Sequence, residues 1–241
     1  MTELTERSRD RAPSAEVVDP LPPALLPARV AIEGRSARVE PVDARVHAEE
    51  LFAAGQADDA IWDYLAYGPW PSVEAVRGHL RDCAASADPV FYAIRDKRTG
   101  AAAGVASLMS IGPKHGTIEI GHIWLGPALQ NTTAATEALY LLIDYAMTGL
   151  GYRRMEWKCN ARNAPSRRAA VRLGFYFEGI FYQHMIVKGR TRDTAWFSIL
   201  DVEWHALRTN FEAWLAPGNF DEAGRQRTSL RELNWRDRST P

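Results

Sequence analysis

The decisive stretch runs from Glu119 to Phe175. It opens as Glu119-Ile120-Gly121-His122-Ile123-Trp124-Leu125-Gly126-Pro127 and continues through Leu129-Gln130-Asn131-Thr132-Thr133-Ala134-Ala135-Thr136-Glu137. It closes with Asn160-Ala161-Arg162-Asn163-Ala164-Pro165-Ser166 and Leu173-Gly174-Phe175. The pattern is strand, polar turn, long helix, strand, polar turn, short helix. Ala135, Leu139, Leu142, Ile143, Ala146 and Leu150 recur at helical spacing, which predicts a helix over about 133–148. Asn163 suits an N-cap, Pro165 the first turn and Gly174 the position just past a helix end. Two helix N-termini therefore each follow a strand closely. Such a terminus presents unpaired N–H groups and partial positive charge, so the pattern points to a phosphate-bearing ligand.

Working outward, Arg29–Glu33 and Ala37–Pro41 flank Gly34-Arg35-Ser36 as a short hairpin. Asp43 is placed to cap a helix to about Ala54, and Ser72 to cap another to about Ala85. Between them Ile61–Pro71 is aromatic and broken by Gly68-Pro69 and Pro71. Val90–Arg95, Ala102–Met109, Thr117–Leu125, Arg154–Asn160, Tyr176–Val187 and Thr194–Val202 read as strands. A helix with Phe211, Trp214 and Leu215 follows, and a further one is expected near Thr228–Asn234. The order is mixed α/β, with antiparallel hairpins and one strand–helix–strand crossover. Residues 1–27, rich in charge and proline, read as a disordered or loosely docked arm, 28–205 as the main domain and 206–241 as a helical extension.

Composition narrows the function classes. Lys plus Arg number 29 against 30 Asp plus Glu, so no global field favours nucleic acid or an anionic membrane. Charge is uneven, however: Gly151–Asp193 holds ten Lys/Arg and three Asp/Glu, which fits either a solvated basic face or anion binding. Cys83 and Cys159 have no metal-ligand spacing and no disulfide framework, so buried or incidental thiols in a reducing cytosol are expected, and no metal. Met1–Arg11 has no apolar signal core, and no apolar run reaches about 18 residues. The expected location is the cytoplasm.

The element order and these motifs resemble the GNAT superfamily, in the branch that includes ribosomal-protein alanine N-acetyltransferases. The resemblance covers roughly Arg29–Glu203 and rests on residues 118–127, 130–139, 163–166 and 173–175, with Lys188-Gly189-Arg190 and Arg192-Asp193 matching a late hairpin. It implies an α/β (α+β) fold whose mixed, largely antiparallel central sheet is flanked by helices on both faces. It also implies acetyl-CoA as cofactor and direct acetyl transfer to an amine. The family's pyrophosphate loop is usually Gln/Arg-x-x-Gly-x-Gly/Ala. Here Gln130 and Ala135 match, while Thr133 replaces the first glycine. The resemblance further implies that Ile123, Trp124 and Leu125 bond pantetheine through their backbone. It assigns N–H groups of Asn131, Thr132, Thr133, Ala134 and Ala135 to the pyrophosphate, Asn163 to pantetheine, and Ser166 to protonation of the leaving thiolate. Charge adds Arg167, Arg168 or Arg172 as candidates for the adenosine 3′-phosphate.

Thioester aminolysis needs a neutral amine, and an alkylamine of pKa about 10 must lose a proton at pH 7. A positioned base gives about 10²–10⁴ in rate, and the carbonyl oxygen needs a preorganised N–H, which the 117–125 strand can offer. Glu119 is the preferred base and His122 the second candidate; their opposite parity places them on opposite faces unless a bulge intervenes. Each has a structural alternative, a hydrogen-bonded carboxylate and a half-buried histidine, and Ser166 has the ordinary role of a first-turn serine. Trp62, Tyr64 and Tyr67, with Trp157, Tyr182 and His184 from later strands, are candidates for an aromatic wall around an amine; core packing is the alternative for each. The expected partner is a small-molecule or peptide amine, with a homodimer an open arrangement. A catalytically inactive acyl-CoA-binding module and a structural partner protein are the competing classes.

Overall fold

The computed structural model describes residues 6–9, 12–15, 17–18 and 24–236. These fall into two compact units, taken here in turn. One comprises Leu26–Gly112 and Ile118–Leu150, the other Met1–Leu25, Pro113–Thr117 and Gly151–Pro241.

The first unit is built on β1 (Ile32–Glu33), β2 (Ala37–Pro41), β3 (Val90–Asp96), β4 (Ala102–Gly112) and β5 (Thr117–Leu125, its first residue excepted), which lie side by side in that order. The β1–β2, β2–β3 and β3–β4 pairs are antiparallel, with Val39 opposite Ile94 and Ala93 opposite Val105. β3 is buried at every position but Arg95, as a strand covered on both faces must be. On one face Phe91 and Ala93 meet Ala48 and Leu51 of α1 (Ala44–Gly55) and Val76, Leu80 and Cys83 of α2 (Val73–Ala85). Alternation turns the fully buried Tyr92 and Ile94 to the opposite face, and α3 (Thr133–Asp144) packs on β2 and β3. Asp43 and Ser72 cap α1 and α2 as their sequence positions require, accepting from the N–H of Arg45 (2.8 Å) and Ala75 (3.2 Å). Beyond α3 the chain widens into a π-turn over Tyr145–Gly149, where the Leu150 N–H reaches the Tyr145 carbonyl. The hydroxyls of Tyr92 and Tyr145 bracket the Ala28 peptide, one donating to its oxygen and the other accepting from its nitrogen.

The second unit holds β6 (Arg154–Asn160), β7 (Tyr176–Val187) and β8 (Arg190–Leu200), antiparallel in the order β6-β8-β7, with α4 (Ala164–Arg172), α5 (Asp201–Leu215) and α6 (Leu230–Arg236). The Asn210 amide donates to the Leu233 carbonyl and the Asn234 amide to that of Arg172, tying α6 to α5 and α4. Part of the N-terminal arm, expected to be disordered or loosely docked, is held by specific bonds. Arg9 is bonded to Glu203, Glu178 and the Ser198 hydroxyl, and its guanidinium lies 4.6 Å from the Tyr176 ring centroid. The Arg7 carbonyl accepts from the Phe177 N–H (2.9 Å), so the arm caps one end of the β7 edge. Composition misses this because the partners of Arg9 lie more than 160 residues away.

Candidate active site

β5 does not alternate regularly. His122 adopts φ 49°, a left-handed conformation that breaks the strand's parity. Regular alternation cannot be counted through a left-handed residue, so parity does not by itself place Glu119 and His122 on opposite faces. The Glu119 side chain is buried, 5% exposed, and its Oε2 accepts from the Ser110 hydroxyl at 3.0 Å. Gly121 lies between them: a Cβ there would stand 2.4 Å from Met109 Sδ, so a larger residue would displace the Met109 side chain, whereas its 3.5 Å to Glu119 Oε1 would be an ordinary contact. The Gly121 carbonyl accepts from the Ser107 hydroxyl at 3.1 Å.

His122 is embedded in rings. Tyr67 stacks on it (centroids 5.7 Å, 12° between planes) and Phe91 tilts against it at 5.0 Å. Tyr67 in turn stacks on Trp70 at 6.0 Å and meets His79 at 4.7 Å. Its hydroxyl is buried with no hydrogen-bond partner among the described residues, and burial drives its pKa up, so it stays a neutral donor. Trp62 is 1% exposed, gives its indole N–H to the Gly55 carbonyl (3.1 Å) and fills the space that Gly55 and Gly68 leave by having no side chain. It is a core residue supporting Tyr67 and Trp124, at 6.2 and 5.0 Å. Tyr64 lies exposed on the same segment. His79 Nε2 lies 3.4 Å from Cys83 Sγ; burial lowers the histidine's pKa and pushes the thiol up to about 12, so both are neutral near pH 7.

The turn after β5 is set by Asn131, at φ 58°, and by the Gln130 side chain, whose amide donates to the Leu125 carbonyl (2.9 Å). Thr132 is the N-cap of α3: its hydroxyl accepts from the Ala135 N–H (3.1 Å) and donates to the Leu129 carbonyl (2.7 Å). The first-turn N–H groups of Thr133 and Ala134 point out of the helix end, as intrahelical geometry leaves them. The left-handed backbone of this turn falls at Asn131, and Thr133 is already helical, so position 133 does not call on glycine's conformational freedom.

In the second unit Asn163 caps α4, its Oδ1 accepting from the Ser166 N–H at 3.1 Å. Trp157, 4% exposed, gives its indole N–H to Ser166 Oγ at 3.1 Å. Cys159 neighbours Ser166, and burial raises the thiol's pKa. Arg167 is committed to Glu6 in a two-point ion pair (2.5 Å on each oxygen) and to the Ala161 carbonyl, whereas Arg168 is exposed. Tyr182 is 76% exposed, on the stretch where β7 slips against β8; there Gln183, at φ 50°, gives its N–H to Asp193 and His184 Nδ1 lies 3.0 Å from the Thr194 hydroxyl. Ser110 on Glu119, Phe91 on His122 and His79 on Tyr67 carry no motif that would single them out in the sequence.

The family described as the acetyltransferase (GNAT) domain matches residues 38–176, a span that takes in β5, its turn, α3 and α4. The chain belongs to the GNAT acetyltransferase family. A GCN5-related N-acetyltransferase from Brucella melitensis is 48% identical, with a TM-score of 0.87 over 89% of this chain and 98% of that one. A probable GNAT-family acetyltransferase from Chromobacterium violaceum is 41% identical, with a TM-score of 0.75 over 83% and 100%. An uncharacterized N-acetyltransferase, p20, of Bacillus licheniformis is 29% identical over 151 residues, 61% of this chain and 84% of that protein. The ribosomal-protein-serine acetyltransferase of Escherichia coli matches at 40% over 81 residues, 33% of this chain and 44% of that protein. The mixed α/β fold with largely antiparallel strands expected from the sequence is thus the fold of a GNAT acetyltransferase. No helix among the described residues is long and apolar enough to cross a membrane.

Proposed function

We propose that this acetyltransferase moves an acetyl group from acetyl-CoA directly to the primary amine of a small molecule or a peptide N-terminus. The observation that supports this most is the continuous β5–turn–α3 segment. A strand with a left-handed residue at His122 leads through a left-handed Asn131 into a helix whose first-turn N–H groups face outward. In this reading the N–H groups of Asn131, Thr132, Thr133 and Ala134 hold the pyrophosphate, while that of Ala135, expected to join them, is already given to the Thr132 hydroxyl, and the backbone of Ile123, Trp124 and Leu125 holds pantetheine. Asn163 is assigned to pantetheine and Ser166 to protonation of the departing sulfur. Arg168 is the better candidate for a phosphate than Arg167, whose guanidinium Glu6 already takes.

Glu119 is assigned as base. A carboxylate oriented by the Ser110 hydroxyl is a group that can take a proton, directly or through water, from an amine held over β5. Tyr67 supplies the acceptor side with a buried donor hydroxyl, which can bond the lone pair of a neutral amine. The test is an amine-library screen with free CoA thiol as readout, paired with calorimetric titration of acetyl-CoA. Turnover with a subset of primary amines is expected. Acetyl-CoA binding without turnover of any amine would select the acyl-CoA sensor, and no binding at millimolar acetyl-CoA would overturn the reading altogether.

A further inference from the structure

We infer that Trp157 is a positioning residue that fixes Ser166 as a proton donor; the inference rests on Ser166 being the group that protonates the departing sulfur. An indole N–H can only donate. With Trp157 Nε1 3.1 Å from Ser166 Oγ, that oxygen must accept, and its own proton is left to point elsewhere. The Ser166 N–H is held by Asn163 Oδ1, so the residue's backbone is fixed as well. Trp157 is itself held rigid: it lies on β6 opposite Phe197 of β8, is buried, and meets Phe175 edge-on at 5.6 Å. The resting proton of Ser166 has the Cys159 sulfur as a neighbour, a weak acceptor that competes poorly with a thiolate.

The consequence follows from charge. As the C–S bond breaks, the electron pair goes to sulfur, which takes the Ser166 proton while the serine oxygen recovers one from water. Of the two protons the acceptor ammonium gives up, one ends on sulfur and the other in solvent, so the balance closes. During the transfer the serine oxygen gains negative charge, and a hydrogen bond already aimed at it strengthens without reorganisation. Trp157, expected from the sequence to line the acceptor wall, acts instead through Ser166.

The experiment is a double-mutant cycle on the full chain with Trp157→Phe, Ser166→Ala and the pair, measuring kcat, the acceptor KM and the calorimetric Kd for acetyl-CoA. Trp157→Phe should lower kcat about tenfold, the worth of one hydrogen bond to a charging group, and leave the acetyl-CoA Kd within about twofold. In the Ser166→Ala background the same change should cost under about twofold, because the oxygen it serves is gone. Trp157→His, which keeps a ring N–H, should recover part of the loss, and Trp157→Leu, which lacks one, stands in for phenylalanine should that variant fail to fold. Equal losses in both backgrounds would overturn the inference alone. A Ser166→Ala enzyme with undiminished kcat would overturn it together with the acid assignment, and a wild-type protein that acetylates no amine would overturn the proposed function itself.

Discussion

Glu137→Gln should destabilise the protein by about 3 kcal/mol, although glutamine has the same shape and Glu137 has no role in the chemistry. Glu137 lies in the second turn of α3, with a side chain 5% exposed. Its Oε1 accepts from the Arg35 N–H at 2.8 Å, and its Oε2 from the Ser36 N–H (2.6 Å), the Ser36 hydroxyl (2.6 Å) and the Ala37 N–H (2.8 Å). A single carboxylate thus receives the whole turn between β1 and β2. Gly34 is part of the fit, since a Cβ there would lie 2.6 Å from Glu137 Cδ. Glutamine turns one oxygen into a donor that faces donors, and it weakens the remaining bonds from charge-assisted to neutral, roughly halving each. One bond lost at about 1–2 kcal/mol and three weakened by about 0.5–1 kcal/mol each give about 3 kcal/mol after allowance for water reaching the turn. At about 2–4 °C per kcal/mol for a chain of this size, Tm should fall by about 6–12 °C. Burial pushes the Glu137 pKa up, but the hydrogen bonds from Ser36 and from the N–H groups of Arg35, Ser36 and Ala37 outweigh it, and the net pKa lies below the ordinary 4.5. A depressed folded-state pKa means the unfolded chain binds the proton first. The contribution is therefore complete above pH 4.5 and is lost as pH falls through the lower folded value. The gap between wild type and Glu137→Gln, measured by urea denaturation, should accordingly narrow in acid. A Tm change under about 2 °C at pH 7, or a gap that does not shrink, would refute the reasoning.

Other outcomes follow from the same structure. Thr133→Asp should keep or slightly raise Tm, because an acid suits the first turn of α3, yet weaken acetyl-CoA binding about tenfold by calorimetry; Thr133→Gly should bind as wild type does. Trp62→Ala should cost about 3–5 kcal/mol of stability by denaturant melt, the cost of a cavity where the ring meets Gly55 and Gly68. Tyr67→Phe should leave Tm within about 2 °C, since its hydroxyl has no partner among the described residues to lose, and should raise the acceptor KM several-fold with the acetyl-CoA KM unchanged. Arg9→Ala should destabilise by about 2–3 kcal/mol, read as a lower Tm, because it leaves Glu203 and part of Glu178 unpaired.

What the sequence disclosed and what it withheld divide along a physical line. Caps and strand spans are local, and Asp43, Ser72 and Asn163 each cap the helix whose start they mark, while Thr117–Leu125, Arg154–Asn160 and Tyr176–Val187 are strands over the residues expected. Each of these depends on a few neighbouring residues and on periodicity, so the chain states it directly. The left-handed backbone at His122, Ser110 and Gln183 is different. None is a glycine, so nothing in the local sequence announces them, and Gln183 sits where β7 slips against β8, a pairing that no window of sequence contains. The same holds for side chains whose partners are distant. Nothing in Arg-Ser-Arg-Asp near the N-terminus predicts that Arg9 pairs with Glu203, and nothing in Thr-Glu-Ala-Leu marks Glu137 as the anchor of a turn a hundred residues earlier.

The aromatic residues show where this line crosses function. Trp62, Tyr67 and Trp157 looked equivalent as candidates for an amine pocket, because composition records ring area and not direction. The structure separates them by what their polar atoms do. The Trp62 N–H is spent on the Gly55 carbonyl, the Trp157 N–H on Ser166, and the Tyr67 hydroxyl on no described residue. A buried donor that is already bonded is committed to structure or to its neighbour, whereas a buried donor left open costs stability that a substrate can repay. Of the three, Tyr67 is therefore the residue whose polar group remains available to an acceptor, and replacing it should alter substrate kinetics at little cost to the fold.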